Sequence, residues 1–355
     1  MKILSVVAAR PNFVKLASVV HALKAYPKVR HVIVHTGQHY DPLFSDVFFE
    51  QLALPLPAHN LDVRGGERKM VIDNTSAFLL PVLHAERPDM VLVYGDVNGA
   101  LGAAQAANTA GIPLAHIEAG LRSFDDDMPE EHNRRAIDRL SSILFCTEQS
   151  GVTNLKKERV HGSIHLVGNT MIDTLFRMMP FIDSEPLPIS TGAPYAVVTM
   201  HRPSNVDYQT ILKKNLAFLG EVAERMTLVL PVHHRLREAL KNLKKTDIHP
   251  SIRLIDPLGY IPFLRLCKSA TFLLTDSGGI QEEAVILAKR CFTMRRNTER
   301  PVTIESGSNV LIDPEKIADR DTVLAFAEKP LLLSICIPPF WDGKAGARIL
   351  TILLQ

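Results

Sequence analysis

The segment Thr275-Asp276-Ser277-Gly278-Gly279-Ile280-Gln281-Glu282-Glu283-Ala284 concentrates more chemistry than any other stretch of the chain. It follows a short apolar run, Ala270 to Leu274, which reads as a buried strand; from Ile280 onward it reads as a helix. The Ser and two Gly between them let backbone N–H groups approach an anion closely, and the helix N-terminus behind them adds favourable dipole charge. The turn therefore expects a phosphate. Glu282 and Glu283 could grip sugar or ribose hydroxyls, or could simply favour a helix N-terminus. Spacing alone leaves both readings open.

Other polar groups recur at the ends of apolar runs. Arg10 and Lys15 follow the run Ile3–Ala8, and Asp96 follows Met90–Tyr94. Glu118 and Arg122 follow Leu114–Ile117, and His201 and Arg202 follow Ala196–Thr199. His233 follows Leu228–Val232, while Glu299 and Arg300 come after Cys291–Met294. Further runs are His31–His35, Ile143–Cys146, His165–Val167, Ile252–Ile255, Thr271–Leu274 and Asn309–Ile312. Helical patterns such as Val14–Ala25, Ala100–Ala110, Ile211–Arg225 and Gln281–Ala288 lie between them.

Apolar strands alternating with helical crossovers predict parallel sheets covered on both faces. The fold class is thus α/β, with two Rossmann-like doubly wound parallel-sheet domains. In open parallel sheets ligands bind beyond the carboxyl ends of the strands. A cleft between the domains, rich in carboxylate, His and Arg, is the expectation. The seam is expected between Asn169 and Pro194, where Pro180, Pro186, Pro188 and Gly192 cluster. This predicts an N-terminal domain over 1–170 and a C-terminal domain over 171–337 that carries the expected phosphate turn, with 338–355 following it.

The 355-residue length suits two domains. A net charge of +2 gives no reason to expect a nucleic-acid partner. The N-terminal apolar stretch meets Arg10-Pro11 too soon for a signal peptide, and Leu331 to Ile337 is too short to span a bilayer. Cys146, Cys267, Cys291 and Cys336 are scattered, with no CxxC pair. A cytoplasmic protein without a membrane partner is expected. No Gly-x-Gly-x-x-Gly follows the first strand and no His-Glu-x-x-His is present, so neither a redox cofactor nor a metal is expected.

Several segments occur together in one known family. They are AARPNFVK (8–15), TGQHYD (36–41), YGDVNGAL (94–101), HIEAGLRSF (116–124), MPEEHNR (128–134), VGNTMIDTL (167–175), TMHRPSNVD (199–207), PVHHR (231–235), TDSGGIQEEA (275–284) and NTERPVT (297–303). On these the chain resembles the non-hydrolysing UDP-N-acetylglucosamine 2-epimerases, which have the two-domain glycosyltransferase-B fold. The tail PPFWDGKAGARIL (338–350) resembles the family's closing motif and suggests a helix crossing back to the first domain. The chain departs from the family at Ala9 and Asn12, where Thr and Glu are usual, and at Ser204, Pro338 and Phe340-Trp341.

The resemblance implies reversible inversion at C2 of a UDP-N-acetylhexosamine, by elimination of UDP to 2-acetamidoglucal and re-addition, without a cofactor. It implies that Asp96, Glu118, Glu130 and His201 are catalytic. Read without it, Asp96 could cap a helix, Glu118 could pair with Arg122, Glu130 could be a solvated helix-start charge and His201 a buried core histidine. The resemblance further assigns Arg10, Lys15, Ser277, Gly278, Gly279, Glu283 and Arg300 to substrate binding, with Glu282 the alternative to Glu283 for the ribose. Lys15 could equally be an ordinary exposed helical lysine. Gln38, His39, Arg202 and His233 resemble positions that bind a second UDP-sugar, an allosteric activator, in some bacterial members. A homodimer is the usual family state. A rival reading keeps the fold but acts on another UDP-sugar, such as a 2,3-diacetamido uronic acid; more distant rivals are a glycosyltransferase and a nucleotide-sugar sensor.

Overall fold

The computed structural model describes residues 1–37, 49–190, 192, 194–244 and 247–355. They divide into two compact units, Met1–Met178 with Pro338–Gln355, and Met179–Ile337. The division falls inside the helix Thr170–Ser184. Pro180, expected as part of a linker, lies within that helix. Near a helix end a proline removes one hydrogen bond without breaking a long run of them.

The first unit carries a seven-stranded parallel sheet in the order β3-β2-β1-β4-β5-β6-β7. The strands are β1 (Lys2–Val7), β2 (Arg30–His35), β3 (His59–Asn60), β4 (Met90–Tyr94), β5 (Leu114–Ile117), β6 (Ile143–Cys146) and β7 (Ser163–Leu166). All of β4 and β5 is buried, as is β1 beyond Lys2, because helices cover both faces of the sheet. Leu4, Val6, Val32, Val34, Val91 and Val93 form one side of the core with the alanines of the helix Asn98–Thr109. That helix approaches the helix Arg68–Glu86 closely, since a Cβ on Gly102 would stand 2.5 Å from the carbonyl oxygen of Ile72.

The closing segment Pro338–Gln355 belongs to this unit. Its helix, Ala345–Leu353, packs on the helix Arg10–Leu23. The Asp173 carboxylate accepts the N–H groups of Ala345 (3.1 Å) and Gly346 (2.8 Å) and the Ser18 hydroxyl (2.7 Å), which caps the helix and ties it down. Buried Trp341 donates its indole N–H to the Thr147 carbonyl at 3.0 Å.

The second unit holds a six-stranded parallel sheet in the order β10-β9-β8-β11-β12-β13. Its strands are β8 (Tyr195–Thr199), β9 (Thr227–Pro231), β10 (Ile252–Ile255), β11 (Phe272–Thr275), β12 (Arg290–Met294) and β13 (Asn309–Ile312). Phe272, Phe292 and Phe326 meet edge-to-face in its core, with ring centroids 5.6 to 5.8 Å apart.

Each strand order reverses once, between β1 and β4 in the first sheet and between β8 and β11 in the second. At such a reversal the connections leave to opposite sides and open a crevice at the carboxyl edge. No helix among the described residues is long and apolar enough to cross a membrane.

Candidate active site

At the reversal in the first unit, the helix Arg10–Leu23 starts directly after β1, with Pro11 in its first turn. The Asn12 side chain accepts the N–H groups of Ala8 (3.1 Å) and Ala9 (3.0 Å) and donates to the Tyr94 carbonyl at 2.8 Å. It therefore staples the end of β1 to the end of β4. Asn12, one of the departures from the family pattern, has a structural job here.

Gly95 follows β4 in the left-handed region, with φ 64°. A Cβ there would lie 2.8 Å from Lys15 Nζ, so the lysine packs directly onto the turn. Lys15 is not an exposed helical lysine. It is buried and pairs at 2.6 Å with Glu118, also buried. Glu118 itself has φ 76°. A non-glycine residue pays for such a conformation with backbone strain, and strain of this kind gathers at functional sites. Arg122, the alternative partner for Glu118, forks onto Glu158 at 2.7 and 2.8 Å and meets Asp138 at 2.7 Å.

Asp96 does not cap the next helix, whose N-cap is Val97 with no side-chain cap bond. Its carboxylate takes Arg134 NH2 at 2.6 Å and Nε at 3.2 Å, while its backbone carbonyl accepts Asn133 Nδ2 at 2.8 Å. Both partners come from the helix Pro129–Leu140. That helix separates two adjacent acids. Glu131 is fully buried, paired with Arg134, and accepts Ser123 N (2.8 Å) and Oγ (2.9 Å). Burial pushes the Glu131 pKa up, but the Ser123 N–H and Arg134 outweigh it and hold the carboxyl below its ordinary range. Glu130 is exposed in the first helical turn, and its side chain makes no hydrogen bond or ion pair among the described residues. Glu131 is thus committed to structure, and Glu130 is the acid left uncommitted. Arg10 is exposed at the helix start.

At the reversal in the second unit, Asp276 is fully buried just beyond β11. It accepts the backbone N–H groups of His201 (2.9 Å) and Arg202 (2.8 Å), the Asn205 amide (3.1 Å) and His201 Nδ1 (2.8 Å). Desolvation opposes its charge, yet the His201 hydrogen bond and charge and the backbone donors prevail, holding its pKa at about 2. His201 is no core histidine: its side chain is 38% exposed, with the ring oriented by the buried acid. Engaging Nδ1 presents Nε2 outward.

The turn Ser277-Gly278-Gly279 is half-buried and opens the helix Gly278–Ile286. Ser277 N–H bonds the Thr275 hydroxyl at 2.9 Å, which itself meets the Thr199 hydroxyl at 2.6 Å across the reversal. Gly278 has no room for a side chain, as a Cβ would fall 2.5 Å from Arg300 NH1. Arg300 pairs with Glu282 (3.0 Å) and with Glu299, and Arg295 meets Glu299 at 2.6 Å. Arg202 approaches Glu299 at 3.9 Å. Three guanidiniums thus surround one buried carboxylate beside a helix N-terminus, which suits a ligand carrying negative charge.

Glu282, committed to Arg300, leaves Glu283 as the ribose candidate. Burial, then the neighbouring Glu282 charge, pushes Glu283 up to about 8. The Tyr260 hydroxyl faces it from the helix Tyr260–Ser269. His233 caps the helix His234–Leu240 by accepting Arg235 N–H at 3.4 Å, and its ring lies 5.3 Å from that of His201. The structure therefore brings His233 and Arg202 beside His201. Gln38 and His39 lie outside the described residues.

Sequence reasoning singled out neither Asp276 nor Glu299 as an organising acid. The signal for Asp276 was present, since it is the one ionisable residue between the strand and the Ser-Gly-Gly turn. Nothing local marked Glu299, whose importance lies in the arginines that converge on it.

A family model described as UDP-N-acetylglucosamine 2-epimerase matches residues 21–354. The UDP-2,3-diacetamido-2,3-dideoxy-D-glucuronate 2-epimerase of Pseudomonas aeruginosa is 38% identical, with 100% of both chains covered. The UDP-N-acetylglucosamine 2-epimerase of Methanocaldococcus jannaschii is 36% identical, with 99% of each covered. The crystal structure of a UDP-GlcNAc 2-epimerase from M. jannaschii in complex with UDP-GlcNAc and UDP superposes with a TM-score of 0.90 at 34% identity, covering 100% of this chain and 99% of that one. Two parallel-sheet α/β units of the glycosyltransferase-B type, the residues gathered at their strand reversals and similarity along the whole chain lead to one conclusion: this protein belongs to the UDP-N-acetylglucosamine 2-epimerase family, a family of isomerases.

Proposed function

We propose that the protein interconverts UDP-N-acetylglucosamine and UDP-N-acetylmannosamine by elimination and re-addition. A carboxylate removes the proton from C2, the C1–O bond to UDP breaks with its electrons leaving on the diphosphate, and a C1–C2 double bond forms. An acid then protonates C2 from the opposite face as UDP returns to C1. Asp96, Glu118 and Glu130 share these proton transfers. Carboxylates held in unlike surroundings, one buried against Lys15, one bound by Arg134 and one exposed, have the differing basicities that acid and base roles need. His201, oriented by Asp276, supports the departing diphosphate. Gly278 and Gly279 offer backbone N–H groups to it and Ser277 its hydroxyl, with Arg10, Lys15 and Arg300 as cations and Glu283 on the ribose. Arg202 and His233, with Gln38 and His39, would bind an activating second UDP-sugar. The observation that carries the reading is Glu118, strained, buried and ion-paired beside the Gly95-Asp96 turn.

A second reading, C2 epimerisation of a UDP-2,3-diacetamido uronic acid, is favoured by the 38% identical P. aeruginosa relative. The additional carboxylate of that sugar wants one more cation. Arg295 offers one, because its NH1 has no hydrogen-bond partner among the described residues.

Incubation with each UDP-sugar in D2O, followed by proton NMR, tests both. UDP-ManNAc carrying deuterium at C2 is the expected product from UDP-GlcNAc. Exchange only with the diacetamido uronate selects the second reading. Free ManNAc and UDP would mean hydrolysis, and no exchange with either sugar would refute both.

A further inference from the structure

We propose that Asp138 and His116 are a buried positioning pair that sets the geometry of the Gly95-Asp96 turn and of Glu118, acting on the chemistry through those residues. The inference rests on the reading above that Asp96 and Glu118 transfer protons. Neither Asp138 nor His116 has any solvent exposure. The imidazole bridges two elements, with Nδ1 2.7 Å from Asp138 Oδ1 and Nε2 2.9 Å from the Gly95 carbonyl. A carbonyl only accepts, and so does an ionised carboxylate. Both ring nitrogens therefore face acceptors, which ties the imidazole down at both ends. Asp138 Oδ2 receives Arg122 NH2 at 2.7 Å and the Gly120 N–H at 3.2 Å. Desolvation works against the charge of Asp138, but the His116 bond and the Arg122 charge overcome it and keep its pKa below the ordinary value.

One carboxylate thus joins four segments: β5 through His116, the loop after β5 through Gly120 and Arg122, its own helix Pro129–Leu140, and the end of β4 through the imidazole. Glu118 lies between His116 and Gly120, and both flanks are tied to Asp138. That is how a non-glycine residue can be held at φ 76°: the surroundings over-determine it. Gly95, whose carbonyl His116 grips, immediately precedes Asp96. Buried ion clusters are commonly no better for stability than apolar packing of the same volume. Placed beneath two candidate acids, this one is accounted for by the geometry it imposes.

The test uses the full-length protein and three variants. His116→Gln keeps an amide N–H near the position of Nε2, facing Gly95. His116→Asn instead keeps one near Nδ1, facing Asp138. Asp138→Asn removes the shared charge. For each, kcat and KM are measured for C2 exchange, together with UDP affinity and Tm. We expect Asp138→Asn and His116→Asn to lose about 100-fold in kcat, the scale of a small misplacement of reacting groups, with KM and UDP affinity little changed. His116→Gln should recover most of that loss. A cluster that only stabilised the fold would lower Tm in all three and leave kcat per folded molecule unchanged, which would overturn the proposal. If Asp138→Asn does not fold, the contrast between the two His116 variants decides. If the wild-type protein exchanges C2–H of neither UDP-sugar, the functional reading fails. The inference then falls with it, whereas C2–H exchange by the wild-type protein with equal kcat in all three variants overturns the inference alone.

Discussion

At the strand reversal of the first unit, β1 and β4 deliver Lys15, Gly95 and Asp96, with Glu118 arriving from the neighbouring β5. At the reversal of the second, β8 and β11 deliver His201, Arg202, Asp276 and the Ser-Gly-Gly turn. The topological device is the same, but the two are wired oppositely. In the first unit cations serve carboxylates: Lys15 holds Glu118 and Arg134 holds Asp96. In the second, carboxylates serve cations: Asp276 orients His201, and Glu299 gathers Arg295, Arg300 and Arg202. Carboxylates each held by a cation stand at one edge, and guanidiniums gathered on a buried carboxylate beside a helix N-terminus stand at the other. Topology supplies the crevice, and the residues on its turns decide the chemistry.

The sharpest way to break this comparison is to remove one acid from each edge. Glu118→Gln should lower kcat by about 10²–10⁴-fold, the usual weight of general acid–base catalysis, and leave UDP affinity alone. Near-normal kcat in steady-state assays would remove Glu118 from the proton transfers. Asp276→Asn should behave differently. With His201 no longer held through Nδ1, both kcat and UDP affinity should fall, each by roughly 10–100-fold, as for other orienting partners of a functional histidine. Calorimetric UDP binding separates the two variants, and equal UDP affinities would erase the proposed division of labour.

Smaller changes sharpen it. Gly278→Ala drives a methyl into Arg300 and should weaken UDP binding about tenfold, close to 1.4 kcal/mol. Gly95→Ala meets Lys15 Nζ and a left-handed backbone, so it should lower Tm and kcat and weaken UDP binding by less than Gly278→Ala does.

A last test concerns pH. Glu283 has an ordinary value of 4.5 and is pushed up to about 8 in the fold, first by burial and then by Glu282. Between these values the folded state binds more protons than the unfolded one. Stability from this group is therefore fully present below 4.5 and declines as pH rises through about 8, by an amount on the order of a few kcal/mol. Glu283→Gln should flatten that decline in denaturant titrations at pH 5 and pH 9. An unchanged slope would mean that Glu283 is ionised throughout.

Much of the fold was legible in the chain itself. Met90–Tyr94, Leu114–Ile117, Ile143–Cys146, Ile252–Ile255 and Asn309–Ile312 coincide with observed strands because each is a short run made mainly of apolar residues. β3 was not foreseen: His59–Asn60 is two polar residues whose strand character comes only from pairing beside Val34 and His35. The site was legible as a set of strand ends, and the individual partnerships were not. Lys15 and Glu118 are far apart in sequence and meet only because β1, β4 and β5 are neighbours in the sheet. The choice between adjacent acids was equally hidden. Glu131 is spent on Arg134 and Ser123 while Glu130 is not, and Glu282 is spent on Arg300 while Glu283 is not.

The sequence by itself determined the class of fold, the repeated strand-then-polar-turn pattern and the kinds of group available for chemistry, because hydrophobic period and turn composition are local properties. Only the tertiary structure decided which charge answers which. Burial raises the cost of an unpaired charge so steeply that each acid's role depends on the partner the fold places within about 3 Å of it.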